Sequence, residues 1–492
     1  MKQKLGLILG PAVALAILLF AELEPGNPLP TRCAAVAALM AIWWVTEALP
    51  IPATALLPVA LFPALGVLKG STVAGEYFNS IIFLFIGGFI VALAMQRWNL
   101  HKRIALITIL TIGSGTKRII FGFMLATFVM SMWVSNTATT MMMVPMALAI
   151  IQQMRVSLPH HLRGGVNRFA VALLIGIAYA ASIGGTATLI GTPPNLVLAR
   201  QLAILFPELP AITFAQWMLF ALPFALVFLV VCWWLLTRLF LGKSATLAAD
   251  IEMFRCEYAG LGRTSYQERV VFFSFCAMAL LWIFRQPIEL GAVTIPGWSG
   301  LMPEPGFIDD GMIAIAVALA LFVIPARNDM GERIMDWQTA TELNWGIVIL
   351  FGGGFALAEG FVQSGLSSWL GAQVSGLAGV PSSVFVVSVS TMMTFLTELT
   401  SNTASTQMIL PVLGAFAQAN QVAPLLLLIP ATLSASCAFM LPVATPPNAI
   451  VFGSGEISMG DMLKSGLIMN FVGVVLVTLT IFTLGALVFN LH

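Results

Sequence analysis

Apolar windows of about 20 residues, the length that crosses a hydrocarbon core as a helix, recur along the whole chain. They lie near 5–21, 33–49, 51–67, 78–97, 169–202, 217–241, 269–288, 310–327, 343–363, 423–455 and 466–489. Two further apolar segments, 118–154 and 382–420, are too long for one pass. At ~1.5 Å per residue a continuous helix over either would far outreach a ~30 Å core. Each carries a polar Ser-Asn-Thr at its centre, Ser135-Asn136-Thr137 and Ser401-Asn402-Thr403. This pattern predicts two helix–break–helix hairpins that enter and leave on one face. Such backbone is tolerated only where protein or a water-filled cavity covers it. The fold class that follows is an all-α polytopic membrane protein of about 11 transmembrane helices plus two re-entrant hairpins. The stretches 98–117 and 364–381 read as short interfacial helices. The polar stretch 242–268, with Asp250, Glu252, Arg255, Glu257 and Arg263, reads as a cytoplasmic connector.

Composition agrees: 59% of residues are hydrophobic and 9% charged, against about 25% charged in soluble domains. A net charge of +1 gives no basic field for nucleic acid. The five cysteines have no metal-like spacing and lie mostly in apolar runs, where cysteine acts as a small hydrophobe. The four histidines (His101, His160, His161 and His492) read as residues of polar loops or the tail. The run Leu5–Phe20 after Lys2 and Lys4 lacks a clear small-x-small cleavage site and reads as a retained first span.

The chain repeats itself. The two Ser-Asn-Thr motifs stand 266 positions apart, as do Leu84–Phe89 and Leu350–Phe355, and Pro145 and Pro411. Each hairpin is followed by Thr-Pro-Pro-Asn, at Thr192–Asn195 and Thr445–Asn448, 253 apart; the basic loop 155–168 accounts for the difference. Lys and Arg concentrate on cytoplasmic segments. With the N-terminus inside, all of the 22 basic residues except Arg32, Lys69, Arg200 and Arg285 fall on that face. Hairpin 118–154 then has both ends inside and hairpin 382–420 both ends outside, so the halves are inverted repeats preceded by one extra span. The C-terminus falls outside, and the compact chain suggests a bacterial inner (plasma) membrane.

Helix breaks in inverted repeats mark midplane sites. A single Ser-Asn-Thr often only bonds its own backbone, but two opposed copies, each with a Thr-Pro-Pro-Asn, point to a site. Hydroxyls and amides there can donate to a carboxylate or coordinate a hard cation. The N–H ends attract anions and the carbonyl ends suit Na+. No Lys or Arg lies in these motifs or within eight residues of them, except Arg200. A bound dicarboxylate would then need co-bound cations for charge balance. Glu47, Glu359 and Glu398 lie in apolar runs. Glu398 either orients the second tip or touches the ion or substrate path, and Glu47 reads as structural. A channel has no use for two dead-end hairpins, and no nucleophile–base pair or metal cluster suggests an enzyme.

At Ser131–Thr139, Ser182–Asn195, Thr397–Ser405 and Ser436–Gly455 the chain resembles the divalent-anion/sodium symporter family, the INDY-type dicarboxylate and citrate carriers. The resemblance implies Na+-coupled transport of C4-dicarboxylates (succinate, malate or fumarate) or citrate by a homodimer in the bilayer, with an elevator mechanism. Na+-independent exchange of carboxylates is the alternative. It places scaffold helices 1–4 in residues 1–117 and helices 7–9 in 269–363. The transport domain takes 118–241 (hairpin 118–154, broken helix 169–202, helix 217–241) and 364–492 (hairpin 382–420, broken helix 423–455, helix 466–489). One Na+ site would involve Ser131, Ser135, Asn136 and Gly191, the other Thr397, Thr400, Asn402 and Ala444. Substrate would meet Ser135, Asn136, Thr137, Thr192, Pro193, Ser401, Asn402, Thr403, Thr445 and Pro446. Thr400 and Thr192 depart from the smaller residues usual in the family.

Overall fold

The computed structural model describes residues 2–491, apart from 114, 158, 160–162, 242–251, 291–292, 328–330 and 374–379. Its first part comprises α1 (Lys2–Phe20), α2 (Leu29–Thr46), the short α3 (Ile51–Thr54), α4 (Leu57–Ala64) and α5 (Gly70–Glu76), then α6 (Ser80–Arg97) and α7 (Leu100–Ile112). The first hairpin is α8 (Thr116–Ser131) and α9 (Asn136–Ser157). The first broken helix is α10 (Arg163–Thr186) and α11 (Pro193–Leu205), followed by α12 (Phe214–Leu236), which ends in a π turn, Thr237–Leu241. After α13 (Glu252–Gly260) come α14 (Tyr266–Ile283), a two-stranded hairpin of β1 (Ile288–Leu290) and β2 (Val293–Ile295), α15 (Asp310–Val323) and α16 (Trp337–Ala340). The second half then runs α17 (Trp345–Gln363), α18 (Leu366–Gln373), the hairpin α19 (Ser382–Thr397) and α20 (Asn402–Ala419), the broken helix α21 (Leu425–Ala435) and α22 (Pro446–Gly453), α23 (Met459–Thr480) with a π turn at Ile481–Gly485, and α24 (Ala486–Phe489).

The repeat is visible in the element bounds. Both hairpins start, break and resume 266 positions apart, and α11 and α22 start 253 apart. Local chemistry explains the bounds. Asn79 caps α6 through the amides of Ile81 and Ile82, and capping boxes at Thr213 and Ser458 begin the equivalent helices α12 and α23. Paired prolines open α11 and α22, where a missing N–H costs nothing and a fixed φ helps.

Eight described helices are long and apolar enough to cross a membrane, and shorter apolar helices lie between them. Two expectations need correction. The span at 51–67 is two short helices, because Pro58 starts a new helix after the turn at Ala55, Pro63 lies one residue before that helix ends, and Gly66 turns the chain at a φ of 69°. The only strands among the described residues are the short antiparallel pair Ile288–Leu290 and Val293–Ile295, which leaves the all-α class unchanged. His101 sits on α7, its ring against the Met95 carbonyl at 3.1 Å, and not in a loop. His160, His161 and His492 lie outside the described residues, as do residues 242–251 of the connector, Asp250 among them.

Close backbone approach holds the first helices and the two Gly-Gly segments. A Cβ on Gly87 would lie 2.5 Å from the Ala314 carbonyl carbon, so α6 and α15 meet backbone to backbone. Gly353 faces the Ala55 carbonyl in the same way, beside the Tyr77 hydroxyl, which donates to that oxygen. Ion pairs tie distant segments. Arg200 on α11 forks onto Glu76 of α5 at 2.7 and 2.8 Å, Arg285 meets Asp310 at 2.5 Å, and Arg103 meets Glu268 at 2.7 Å. At the end of α9, Arg155 forks onto Glu456 at 2.7 and 2.5 Å and holds that carboxyl below its ordinary range.

Candidate functional site

Both hairpin breaks and both Pro-Pro helix starts open onto one cavity of about 660 Å³. Its wall includes Ser135, Asn136, Thr137, Thr192, Pro193, Ser401, Asn402, Thr403, Thr445 and Pro446, so all ten residues expected at the substrate meet there. Gly191, Thr400 and Ala444 also line it. Ser131 and Thr397 lie just behind, fully buried. Phe89, Ile347 and Leu350 close an apolar side that the motifs alone did not reveal.

The helix ends sort by charge. Four N-terminal ends reach the cavity, those of α9, α11, α20 and α22, through Asn136, Pro193, Asn402 and Pro446. Each long helix contributes about half a positive charge at that end. Ser135 caps α9 through the Ala138 amide at 3.2 Å, and Thr445 caps α22 through the Asn448 amide at 3.3 Å.

Behind each tip lies a cluster of oxygens. The Ser131 hydroxyl stands 2.5 Å from Asn136 Oδ1 and 2.8 Å from the Ala181 carbonyl. The Thr397 hydroxyl stands 2.6 Å from Asn402 Oδ1 and 3.0 Å from the Ala435 carbonyl. A hydroxyl has one hydrogen, so each can serve only one of its two near acceptors at a time. In the first cluster a Cβ on Gly185 would lie 2.8 Å from Asn136 Oδ1, 3.0 Å from its Nδ2 and 3.1 Å from the Gly191 carbonyl, so the tip packs closely on the break. Hard cations take hydroxyl, amide and carbonyl oxygens as ligands, and both tips carry oxygens of these kinds.

The breaks are held by asparagine. Asn195 Nδ2 reaches the carbonyls of Gly185, Thr186 and Thr188 at 2.7–3.3 Å. Asn448 Nδ2 reaches those of Ala438 and Leu441 at 3.0 and 3.1 Å. Each leaves its own Oδ1 buried and unpartnered.

Each tip is latched to the break beside it, by different means. In the first half the Thr188 hydroxyl donates to the Met132 carbonyl at 2.5 Å. In the second, the residue equivalent to Met132 is Glu398. Its carboxylate accepts from the amides of Phe439, Met440 and Leu441 at 2.7, 2.9 and 3.1 Å, and from Asn470 Nδ2 at 2.8 Å. Helix α21 stops one turn earlier than α10 does, relative to the repeat, and that unwound turn frees these amides. Tyr179 takes the freed Phe439 carbonyl at 2.7 Å. Glu398 is therefore a positioning residue, buried and outside the cavity wall. Its place three residues before Ser401 was the signal for it; nothing in the sequence pointed to Asn470 or Tyr179.

The expectation of a site without a fixed cation is corrected. Lys2 lines the cavity, together with Glu47. Sequence distance hid it: Lys2, Gly6 and Gly10 share one face of α1, and the glycines dock that face on α2. The Trp43 indole donates to the Gly6 carbonyl at 3.0 Å, and Thr46 and Ala48 crowd Gly6. Glu47, with a φ of 51°, ends α2 at the wall. Among the described residues of the wall, one fixed cation and one fixed anion offset each other. Glu359 takes no part in the cavity and accepts from Gln363 at 3.0 Å.

The sequence profile of the sodium:sulfate symporter transmembrane region matches residues 2–491. A protein of Staphylococcus saprophyticus named sodium-dependent dicarboxylate transporter SdcS is 42% identical over 490 residues, covering 98% of this chain and 91% of that protein. Its namesake in Staphylococcus aureus is 42% identical over 500 residues, covering 99% and 92%. Two solved structures share the fold at low identity. The Alcanivorax borkumensis YdaH transporter has a TM-score of 0.53 at 15% identity, over 91% of this chain and 98% of that one. Neisseria gonorrhoeae MtrF has a TM-score of 0.55 at 14% identity, over 96% of each.

Proposed function

Because the chain belongs to the sodium:sulfate symporter family, a family of multi-pass membrane transporters, we propose that it carries C4-dicarboxylates across the cytoplasmic membrane in symport with Na+. The observation that carries this reading is the pairing at each tip. A buried hydroxyl shared between an asparagine oxygen and a carbonyl backs a helix N-terminus that faces the shared cavity. A cation bound at Ser131, Ser135, Asn136 and Gly191, and another at Thr397, Thr400, Asn402 and Ala444, would supply positive charge beside the carboxylates. Ser135, Asn136 and Thr137 would receive one carboxylate and Ser401, Asn402 and Thr403 the other. Thr192-Pro193 and Thr445-Pro446 would close the site from the broken helices. Asn136 and Asn402 serve both partners, because the oxygen of each amide faces the cation cluster while its nitrogen remains free to donate.

The same reading takes 118–241 and 364–492 as a transport domain that slides as an elevator against a scaffold of 1–117 and 269–363, in a homodimer with the N-terminus in the cytoplasm and the C-terminus outside. Support comes from the cavity, whose wall is shared between the two groups of helices, and from Arg200–Glu76, an ion pair that crosses between them. Uptake of labelled succinate into proteoliposomes is the test. Accumulation should follow an inward Na+ gradient with no internal dicarboxylate. Uptake that requires internal dicarboxylate and ignores Na+ would make the protein an exchanger.

A further inference from the structure

Helix α12 ends in the π turn Thr237–Leu241, and π turns often mark functional sites. Here the turn lays the Arg238 guanidinium over the Trp234 ring, 5.2 Å from its centroid. Arg238 borders a groove of about 240 Å³ whose apolar walls are Leu235 and Leu239 on one side and Ile468 and Met469 of α23 on the other. Ser465 lies at its edge, but its hydroxyl is already engaged, by the Asp461 carbonyl at 2.8 Å and by Tyr179 at 3.1 Å. Lys464 is exposed and lies one helical turn before Ile468 on the same face of α23. The acid nearest to it in sequence, Asp461, spends a carboxylate oxygen on the Ser458 amide and hydroxyl. Arg238 and Lys464 have no acidic partner among the described residues.

Arg238, laid over a tryptophan, thus borders an apolar groove between two membrane helices, and Lys464 lies one turn from its α23 wall, both without an acidic partner among the described residues. Tryptophan and basic residues gather at the membrane–water interface, and basic pockets between helices on the cytoplasmic side hold anionic headgroups. We propose that this groove is a binding site for an anionic phospholipid. The phosphodiester lies between Arg238 and Lys464, and an acyl chain runs along Leu235, Leu239, Ile468 and Met469. The proposal is independent of what the central cavity carries.

Native mass spectrometry of the intact detergent-purified protein, titrated with phosphatidylglycerol and with phosphatidylcholine of the same chains, tests it. Phosphatidylglycerol should bind preferentially, and R238Q/K464Q should lose that preference by roughly 30-fold, about five-fold for each charge. R238K/K464R should keep it. Glycerol phosphate, a headgroup without chains, should not compete. Equal retention of both lipids, an unchanged R238Q/K464Q variant, or full competition by glycerol phosphate would each overturn the proposal.

Discussion

The Ser131 hydroxyl can satisfy either Asn136 Oδ1 or the Ala181 carbonyl, not both, and Thr397 repeats the problem with Asn402 and Ala435. The asparagine amide is the group that both tips have in common for serving both partners of the proposed symport. Asn136→Ala and Asn402→Ala should each cut Na+-driven succinate uptake to near background while the protein still inserts into the membrane. Uptake at the unaltered rate by either variant would refute the shared role. That both triplets would face one cavity was legible in the sequence, because a polar triplet in an apolar run has few structural uses and two copies have fewer. Lys2 was not, because a position far from every motif reaches the cavity only through the docking of Gly6 and Gly10 on α2. The partners of Glu398 were hidden for a similar reason. They are backbone amides, which no residue type announces.

At the scale of elements, the hairpins and broken helices followed from length and polarity, since a segment too long to span and polar at its middle must break. The bounds of α3 and α4 did not, because apolarity alone cannot tell a span from two short helices split by proline. The end of α9 is tied to the loop after α22 by Arg155 and Glu456. Arg155 hydrogen-bonds the Glu456 carboxylate and lowers its pKa, so the folded protein holds that proton less tightly than the unfolded chain does. The pair's contribution is therefore complete above the ordinary value of 4.5 and disappears as pH falls through the depressed one. The melting temperature lost in Arg155→Ala should be the same at pH 7 and at about pH 5.5, and should shrink only below about pH 4.5. A difference that vanishes by pH 5.5 would show that the pair is not formed.

For the whole molecule, two measurements address orientation and coupling. Val156 is 87% exposed at the end of α9, and Gln373 is exposed at the end of α18. In a cysteine-free background, Val156→Cys should react with an impermeant maleimide only from the cytoplasm, and Gln373→Cys only from outside. Labelling of both from one side would end the inverted-repeat reading. Coupling is reciprocal: if Na+ tightens dicarboxylate binding, dicarboxylate tightens Na+ binding by the same factor. With the wall's Lys2 offset by Glu47, the carboxylates still need the co-bound cations. Replacing Na+ by choline at constant ionic strength should weaken succinate binding by roughly 5–150-fold, the ordinary range for such coupling, as read by calorimetry. Succinate affinity indifferent to Na+ would favour exchange.

The two halves join tip to break at equivalent positions by unlike means. One half uses a hydroxyl to a carbonyl, Thr188 to Met132. The other lacks a helical turn of α21 and has an anion that gathers three amides. The halves are thus not interchangeable parts, and the second depends on a single carboxylate. Glu398→Met, which installs the first copy's residue, should strand those amides and lower the melting temperature. Adding Leu441→Thr, the counterpart of Thr188, should recover part of the loss by supplying the first half's joint. Equal melting temperatures for the single and double variants would mean that the second half cannot form that joint.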